Sequence, residues 1–494
     1  MSQAIPNNKS SISQKASIMV VSRAVTIASQ MASIIILTRL LSKETFGLLS
    51  FLLLAFATVT TLAQLGLPES IFYFFERVSS NAKKSFVLLT SKVLFFIGIG
   101  ASLILVAFNY LAPLLGFEVQ GLFLPLIFLL LLELPVTPLT NALIAIDNAR
   151  AAAWFNIASG VLQFGALVTP VLLGFSLEAI VTCLVIYGAI RFLFGTILFF
   201  KNFKGERGDL PPGMLKEQFR YSIPLGLSQI LWGLNRQIDK YVVAAFLPLA
   251  AFAEYTVGSW EIPLIPAIAY SVASVMMPNL VSFHLDKKIT ELLELWNKAI
   301  RKVSIIVLPL VVLFLIMAEE FIVLVFSEKY IAAAVPFRIY TLIILQRVAA
   351  YSSMLKAIGE TRVIIYSAIY MVIINSVLSV PLVLWLGMMG PPLATLLANI
   401  FTWGYALKKI SGALGVTVSQ VFPFRFYLKA LSISSIAGIT AWILKENWGW
   451  DYQAKLLGGI LIFLAVYIIF ASLARLISKE DLTFFKIGNR HSRQ

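Results

Sequence analysis

The stretch "YSIPLGLSQILWGLNRQIDKYVVAAFLPLAAF", residues 221–252, is apolar apart from one short charged segment. The charges there are Arg236, Asp239 and Lys240, which fall within five consecutive residues. If this stretch crosses a bilayer, each charge near the centre costs about 2.5–3.5 kcal/mol on insertion scales. Three such charges facing lipid would be strongly unfavourable, so the segment indicates that they have partners or a function inside the protein.

The composition is that of a membrane protein. The 494 residues are 59% hydrophobic and 13% charged, with a mean hydropathy of +0.90, whereas soluble domains carry about 25% charged residues. Apolar stretches of about 20 residues, which are long enough to cross ~30 Å of hydrocarbon as helices, recur along the chain. We predict an all-α polytopic protein with about fourteen spans, near residues 16–41, 46–76, 85–115, 119–146, 150–174, 177–201, 216–246, 252–282, 300–326, 332–358, 362–386, 390–412, 426–445 and 453–478.

Three pairs of segments indicate an internal duplication. "ALIAIDNARAAAW" (142–154) matches "MLKAIGETRVIIY" (354–366) at an offset of 212 residues. Two further pairs, which begin at residues 173 and 386 and at residues 41 and 247, have offsets of 213 and 206. Chance similarity between apolar helices is the alternative, but Arg150 and Arg362 also match. An offset of six spans makes the repeats parallel, related by an axis along the membrane normal.

This duplication predicts the organisation of the whole chain. Two homologous halves of six spans each would be followed by two additional spans. The segments are a cytoplasmic tail (1–15), an N-terminal lobe (16–201), a linker between the lobes (202–215), a C-terminal lobe (216–412), the two additional spans (413–478) and a second cytoplasmic tail (479–494).

The basic residues predict the orientation. The net charge of +15 by itself would also suit a nucleic-acid-binding protein. However, 27 Lys and Arg residues lie in or next to the tails and even-numbered loops, and four lie in the odd-numbered loops. Because cytoplasmic loops retain Lys and Arg, both ends should be cytoplasmic, in a cell inner membrane. The charge therefore indicates topology, and we expect no nucleic-acid partner.

Motifs for enzymatic chemistry are missing from the sequence. It contains no "GxxxxGK[ST]" for ATP phosphates and no "HExxH", and its two histidines lie in cytoplasmic segments. The single cysteine, Cys183, excludes an intramolecular disulfide and a multi-cysteine metal site. The first apolar segment is too long for a signal peptide and contains Arg23, so we expect no cleavage. A glycan polymerase or ligase would usually carry a large outer loop, and a scaffold would have no use for buried charges.

Five further segments are informative: "LTRLLSKETFGLLS" (37–50), "LGLPESIFYFFER" (65–77), "SIPLGLSQILWGLNRQIDKYVV" (222–243), "VFSEKYIAAAVPFRIYTL" (325–342) and "LKAIGETR" (355–362). Together they resemble the polysaccharide transporter family, whose members include O-antigen flippases. That family belongs to the multidrug/oligosaccharidyl-lipid/polysaccharide (MOP) flippase superfamily, together with MATE drug exporters and lipid II flippases.

The resemblance implies two six-helix lobes in a V and alternating access through a central cavity that spans one, two, seven and eight largely line. It implies no enzymatic activity and a cargo of undecaprenyl-diphosphate-linked oligosaccharide, which moves from the inner to the outer leaflet for surface polysaccharide assembly. The other implied partners are membrane lipids and a glycan polymerase or another polysaccharide-assembly protein. No cofactor or metal is expected, although coupling to a proton or sodium gradient would suit such a transporter.

Cations in the spans suit an anionic cargo. A diphosphate in a low-dielectric cavity needs fixed positive charges, which Arg supplies as a bidentate fork and Lys as a point charge. Arg236 and Lys240 are four residues apart and therefore share a helix face. Arg23 and Arg39 in the first span are the other candidates for the path, although Arg39 near the outer end would also be able to snorkel to the interface.

Three acids in spans are candidates for balancing charge or coupling transport to an ion. Asp239 is three residues from Arg236, so an ion pair between them is the simplest expectation. Glu133 and Glu261 would carry a coupling proton or, alternatively, make a hydrogen bond between helices; Arg191, in the sixth span, should pair structurally. Glu319 and Glu320 end the ninth span on the outside and should be solvated.

Helix-breaking residues mark two candidate hinges. Gly66 and Pro68 lie within the second span, and Pro263 and Pro266 lie within the eighth. Proline removes a backbone donor and kinks a helix, so either pair would let one part of a lobe move against the rest.

Two other transporters remain as alternatives. A MATE-type ion-coupled drug exporter would need acidic groups in its cavity, whereas spans one and seven carry four cations against Asp239. A lipid II-type flippase for peptidoglycan precursors would share the preference for an anionic cargo, and the sequence does not separate it from a flippase for polysaccharide repeats.

The distribution of basic residues makes the topology testable. After Cys183 is replaced, single cysteines at Glu118 or Met388 should react with an impermeant thiol reagent from outside the cell. Cysteines at Lys83 or Lys288 should react only after permeabilisation, because the positive-inside rule places them in the cytoplasm. The opposite labelling pattern would contradict the predicted orientation.

Overall fold

The computed structural model describes residues 9–115, 121–205, 208–260, 264–447, 449 and 451–476. All regular structure within these ranges is helical, which confirms the predicted fold class. The α-helices are α1 (Lys9–Leu40), α2 (Lys43–Gln64), α3 (Leu67–Phe74), α4 (Ala82–Leu111), α5 (Phe123–Glu133), α6 (Thr137–Ala145), α7 (Ala149–Leu172), α8 (Leu177–Asn202), α9 (Met214–Phe246), α10 (Leu249–Gly258), α11 (Leu264–Leu285), α12 (Ile289–Ile316), α13 (Ala318–Val325), α14 (Ala334–Ile343), α15 (Tyr351–Ala357), α16 (Thr361–Leu386), α17 (Gly390–Leu414), α18 (Val418–Val421), α19 (Phe424–Asn447) and α20 (Tyr452–Leu473).

The chain is a multi-pass membrane protein. Eleven segments of the described chain are long and apolar enough to cross a membrane, and one of them, Thr361–Leu414, contains both α16 and α17. These segments correspond to twelve of the fourteen predicted spans. The remaining two predictions fall on α9, which carries the charged segment, and on α10 and α11, which are separated by residues outside the described ranges.

The helices form two compact units. The first comprises Met1–Gln237 and Pro248–Ala253, and the second comprises Ile238–Leu247 and Glu254–Gln494. The division falls within α9 rather than in the predicted linker at 202–215. In the first unit, α4, α6, α7 and α8 enclose an aromatic core. In the second, the core surrounds α12, whose buried Trp296 donates its indole N–H to the carbonyl of Val421 at 3.1 Å.

The backbone repeats where the sequence does. Asp147 (φ 65°) and Gly359 (φ 79°) both have a left-handed conformation, and they are 212 residues apart. Each lies two residues before a long helix, α7 in one half and α16 in the other. Gly174 (φ 73°) and Gly387 (φ 59°), 213 residues apart, precede α8 and α17 in the same way. Because left-handed residues end helices, the same turns separate equivalent helices in both halves.

The second span is broken at one of the predicted hinges. Leu65 and Gly66 have positive φ values of 47° and 71°, and Pro68 lies in the first turn of the next helix, α3. A Cβ atom on Gly66 would lie 2.7 Å from the backbone nitrogen of Gly226, and one on Gly226 would lie 2.2 Å from the carbonyl carbon of Leu65. Glycine is required at both positions because the backbone of the break lies directly against α9.

The predicted solvation is wrong for Glu320. Glu320 is only 3% exposed and forms a 2.6 Å ion pair with the side chain of Lys445, which is 2% exposed and also donates to the carbonyl of Ile316 at 2.8 Å. Glu319 accepts a 2.8 Å hydrogen bond from Arg338, but its side chain remains 42% exposed. Glu320 binds a cation 125 residues away, which the end of a span does not reveal. The pair of Glu320 and Lys445 fastens α19 to α12 and α13.

Removing one partner of this pair should destabilise the protein strongly. Lys445→Met leaves the Glu320 carboxylate buried without a cation, which typically costs about 3–5 kcal/mol. Thermal unfolding in detergent should show this loss, and the double variant Glu320→Leu/Lys445→Met should recover much of it. Lys455→Met is the control, because Lys455 forms only a half-exposed pair with Glu446 at 3.7 Å and should contribute less than about 1 kcal/mol. Equal effects of the two single variants would contradict the role of the buried pair.

Candidate functional site

The charged segment lies in the C-terminal half of α9, a helix of 33 residues. Arg236 is exposed, Asp239 is 4% exposed and Lys240 is half-buried. Asp239 is buried within the second unit, whereas Arg236, three residues earlier on the same helix, is exposed. The three charges of the opening sequence therefore have three different environments.

Asp239 accepts hydrogen bonds from three neutral side chains of the second unit. The hydroxyls of Tyr340 and Thr395 both donate to its Oδ2 atom, and the amide of Asn375 donates to Oδ1 at 2.7 Å. These partners come from α14, α17 and α16. A single carboxylate thus joins four helices of the second unit.

A second layer of polar groups fixes the partners of Asp239. Ser379 donates its hydroxyl to Oδ1 of Asn375 at 2.8 Å, which orients the Asn375 amide towards the carboxylate. The hydroxyls of Tyr255 and Tyr340 are 2.7 Å apart. Both tyrosine rings pack edge to face at 6.2 Å. These contacts make the Asp239 site a preorganised, largely buried polar network rather than an isolated acid.

The expected ion pair between Asp239 and Arg236 is wrong. No Lys or Arg lies within ion-pair distance of Asp239 in the described ranges, and Arg236 makes no ion pair or hydrogen bond there either. The physical reason is orientation, since Asp239 points into the network of neutral donors. Lys240 interacts with a group other than Asp239. Asp239 therefore does not balance the charge of Arg236.

The Asp239 network has the chemistry of a small-cation site. The charge of a buried carboxylate without a cationic neighbour is offset partly by its hydrogen-bond donors, and a bound proton or cation would neutralise it. Carboxylate, hydroxyl and amide oxygens are the ligands that hard cations prefer. The described residues contain no cluster of three or more His, Cys, Asp or Glu side chains that could hold a metal.

The other candidate acid that the structure describes is paired. Glu133, at the end of α5, accepts a 2.9 Å hydrogen bond from the guanidinium of Arg191 in α8, and their side chains are 14% and 18% exposed. The guanidinium carbon lies 5.6 Å from the centre of the Phe155 ring. Glu133 therefore makes a hydrogen bond between helices, which was the predicted alternative to carrying a coupling proton.

The remaining candidates are placed as follows. Arg23 is exposed on α1 and has no ion pair among the described residues, whereas Arg39, exposed in the last turn of the same helix, makes a contact of its own. Glu261 and Pro263 lie outside the described residues. Pro266 lies in the first turn of α11.

Sequence reasoning missed the neutral members of the Asp239 network: Tyr255, Tyr340, Asn375, Ser379 and Thr395. Asn375 offered a signal, because an amide within the apolar run "YMVIINSVLSVPLV" needs a hydrogen-bond partner in hydrocarbon. Threonine and tyrosine offer none, because both are common in spans and Thr can satisfy itself on its own helix.

Comparison with known proteins identifies the family of the chain and several solved structures with a similar fold. The profile of a family described as "Polysaccharide biosynthesis protein" matches residues 36–335. Among solved structures, the lipid II flippase MurJ in an inward closed conformation is similar with a TM-score of 0.69 at 17% identity, over 93% of this chain and 98% of that one. Among curated proteins, none matches the sequence.

Two further solved structures are transporters of the MOP superfamily. An inward-facing multidrug resistance MATE family transporter has a TM-score of 0.61 at 15% identity, over 80% of this chain and 98% of that one. A transporter from Pyrococcus furiosus, whose binding pocket is described as having reverse polarity, has a TM-score of 0.53 at 15% identity, over 81% and 95% of the two chains. At such identities the likeness shows a common fold.

Proposed function

We propose that the chain, which belongs to the family described as "Polysaccharide biosynthesis protein", is a flippase that moves an undecaprenyl-diphosphate-linked oligosaccharide from the inner to the outer leaflet. In this proposal the protein is a secondary transporter in the cytoplasmic membrane, with both termini in the cytoplasm and no enzymatic step. Its glycan would pass to a polymerase or another polysaccharide-assembly protein.

The observation that carries the proposal is the guanidinium of Arg236 on α9, which is exposed and makes no ion pair or hydrogen bond with the residues that the structure describes. Arg236 is not among the groups that donate to Asp239, so its exposed guanidinium is available to bind a ligand. A guanidinium binds phosphate oxygens through two parallel hydrogen bonds. An anionic diphosphate head is the part of a lipid-linked glycan that most needs such a group while it crosses hydrocarbon.

Asp239 supplies the second part of the proposal, a site for a coupling ion. Its carboxylate is buried, holds three neutral donors and lacks a cationic partner in the described part of the second unit. A proton or a sodium ion bound there would neutralise the carboxylate and change which donors it needs. Because the donors come from three further helices, binding of the ion would shift the conformational equilibrium of those helices as well as of α9.

The family match favours a polysaccharide precursor over the two alternative cargoes. A lipid II-type flippase would also use an exposed Arg236, and the similarity to MurJ in fold does not separate the two. A MATE-type drug exporter would use an acid to attract a cationic drug, but Asp239 is only 4% exposed, which leaves no access for a molecule of that size. An accessible cation and an enclosed acid suit an anionic cargo.

Loss of the Arg236 charge should stop transport without unfolding the protein. In a deletion strain complemented with Arg236→Gln, the export of glycan should fall about 10- to 150-fold, the factor lost with one hydrogen bond to a charged group. Arg236→Lys should keep part of the activity, because the charge remains without the fork. The measurement is the amount of lipid-linked glycan on the inner leaflet, whose mass also identifies the cargo.

Lys408→Gln is the matched control, since Lys408 is an exposed cation of α17 with no contact in the described ranges. Its export should equal that of the unmodified protein. Normal export by Arg236→Gln at normal protein levels would show that Arg236 is structural. Accumulation of peptidoglycan precursor in place of an oligosaccharide repeat would select the lipid II alternative.

Removal of the Asp239 charge should uncouple transport from the ion gradient. Asp239→Asn keeps an acceptor for the hydroxyls but cannot hold a cation, so reconstituted protein should flip its cargo at a rate independent of imposed proton or sodium gradients. Asp147→Asn is the control, because Asp147 is an exposed acid paired with Lys15 at 2.6 Å and asparagine tolerates its left-handed conformation. Gradient dependence that persists in Asp239→Asn would overturn the coupling role.

A further inference from the structure

A groove in the first unit lies among α4, α8 and the broken fourth span. Its volume is about 620 Å³, within the roughly 300–1,000 Å³ typical of pockets that hold small molecules. The lining is mostly apolar and includes Phe95, Phe128, Leu132 and Phe199. Only Ser91, Lys92 and Thr196 bring polar side chains to its wall.

The break in the fourth span shapes this groove. The helix stops at Glu133, a short 3₁₀ turn covers Leu134–Val136, and α6 starts at Thr137. Gly195 of α8 packs on the turn so closely that an added Cβ atom would lie 2.7 Å from Val136. The turn and Gly195 therefore pack against each other, and Pro135, Val136 and Gly195 form part of the groove wall.

Lys92 is the unusual member of the wall. It lies eight residues after Lys84, or about 12 Å further into the span along α4. Lys84 is held at the end of the unit by a 2.7 Å hydrogen bond to the carbonyl of Gly205. Lys92 is exposed and makes no ion pair, hydrogen bond or ring contact within the described part of the chain. An ammonium group within a span is stabilised by extension to the interface or by an anion, and the described part of the chain provides no anion for Lys92.

We propose that this groove binds an anionic phospholipid, with the headgroup phosphate on Lys92 and one acyl chain among the aromatic side chains. Charge complementarity selects the headgroup, since the groove offers one cation and, among its lining residues, no acid. The hydroxyls of Ser91 and Thr196 are positioned to donate to ester or phosphate oxygens. Phe96 and Phe128, which are 68% and 64% exposed, leave the groove open to the surrounding bilayer.

A resident phospholipid explains the groove better than the transported cargo does. All of its lining residues belong to the first unit, and none of the proposed transport residues, including Arg236 and Asp239, lies in it. A single lysine also matches one phosphodiester charge better than a diphosphate. Binding of a phospholipid in this groove is therefore independent of the proposed transport function.

The test is a lipid titration of the full chain in detergent, followed by native mass spectrometry. Phosphatidylglycerol and phosphatidylcholine with identical acyl chains are the probes. The unmodified protein should bind one phosphatidylglycerol about fivefold more tightly than phosphatidylcholine, the factor expected of one lysine beside an anionic lipid. Lys92→Gln should remove this preference and leave phosphatidylcholine binding unchanged. Thr196→Trp, which fills the groove without changing charge, should weaken both lipids.

The control is Lys408→Gln, which removes an exposed lysine from a spanning helix outside the groove and should keep the fivefold preference. The proposal is overturned if Lys92→Gln retains the preference, or if Lys408→Gln loses it to the same extent. It is also overturned if undecaprenyl phosphate displaces phosphatidylglycerol from the unmodified protein but not from Lys92→Gln, which would make the groove a site for the cargo.

Discussion

An ionised side chain in hydrocarbon must be offset by another charge, by hydrogen bonds or by a ligand, and this constraint organises the protein. Glu133 and Glu320 are each offset by a cation from another helix, Arg191 and Lys445. Asp239 is surrounded by neutral donors instead. Arg236 has neither arrangement in the described ranges. The four cases separate structural charges from those that remain available for binding.

Arg236 and Asp239 are three residues apart, yet their environments give them independent roles. A mutual ion pair would have tied the two charges together, so that neither would respond to an external ligand. In the proposed function, their separation leaves a guanidinium for an anion and an enclosed carboxylate for a small cation. A transporter that exchanges the two kinds of ion can then load each site without first breaking a bond to the other.

The sequence predicted most of the fold because that information is local. Span length, turn residues and the repeated segments each depend on a few neighbouring residues, and the left-handed pair Asp147 and Gly359 lies where the offset of 212 requires. Ion partners are not local, since Glu320 pairs with a lysine 125 residues away. The partners of Asp239 were missed for a further reason, because neutral hydroxyls and amides leave little mark in an apolar span.

The distance in sequence between Glu320 and Lys445 also determines when the buried pair can form during biosynthesis. A ribosome that adds about 5–20 residues per second reaches Lys445 some 6–25 s after Glu320. During that interval the newly inserted ninth span carries an acid whose partner does not yet exist. The buried pair can therefore form only after α19 has been synthesised, and a chain released before that helix would present the cellular quality-control machinery with an unpaired carboxylate.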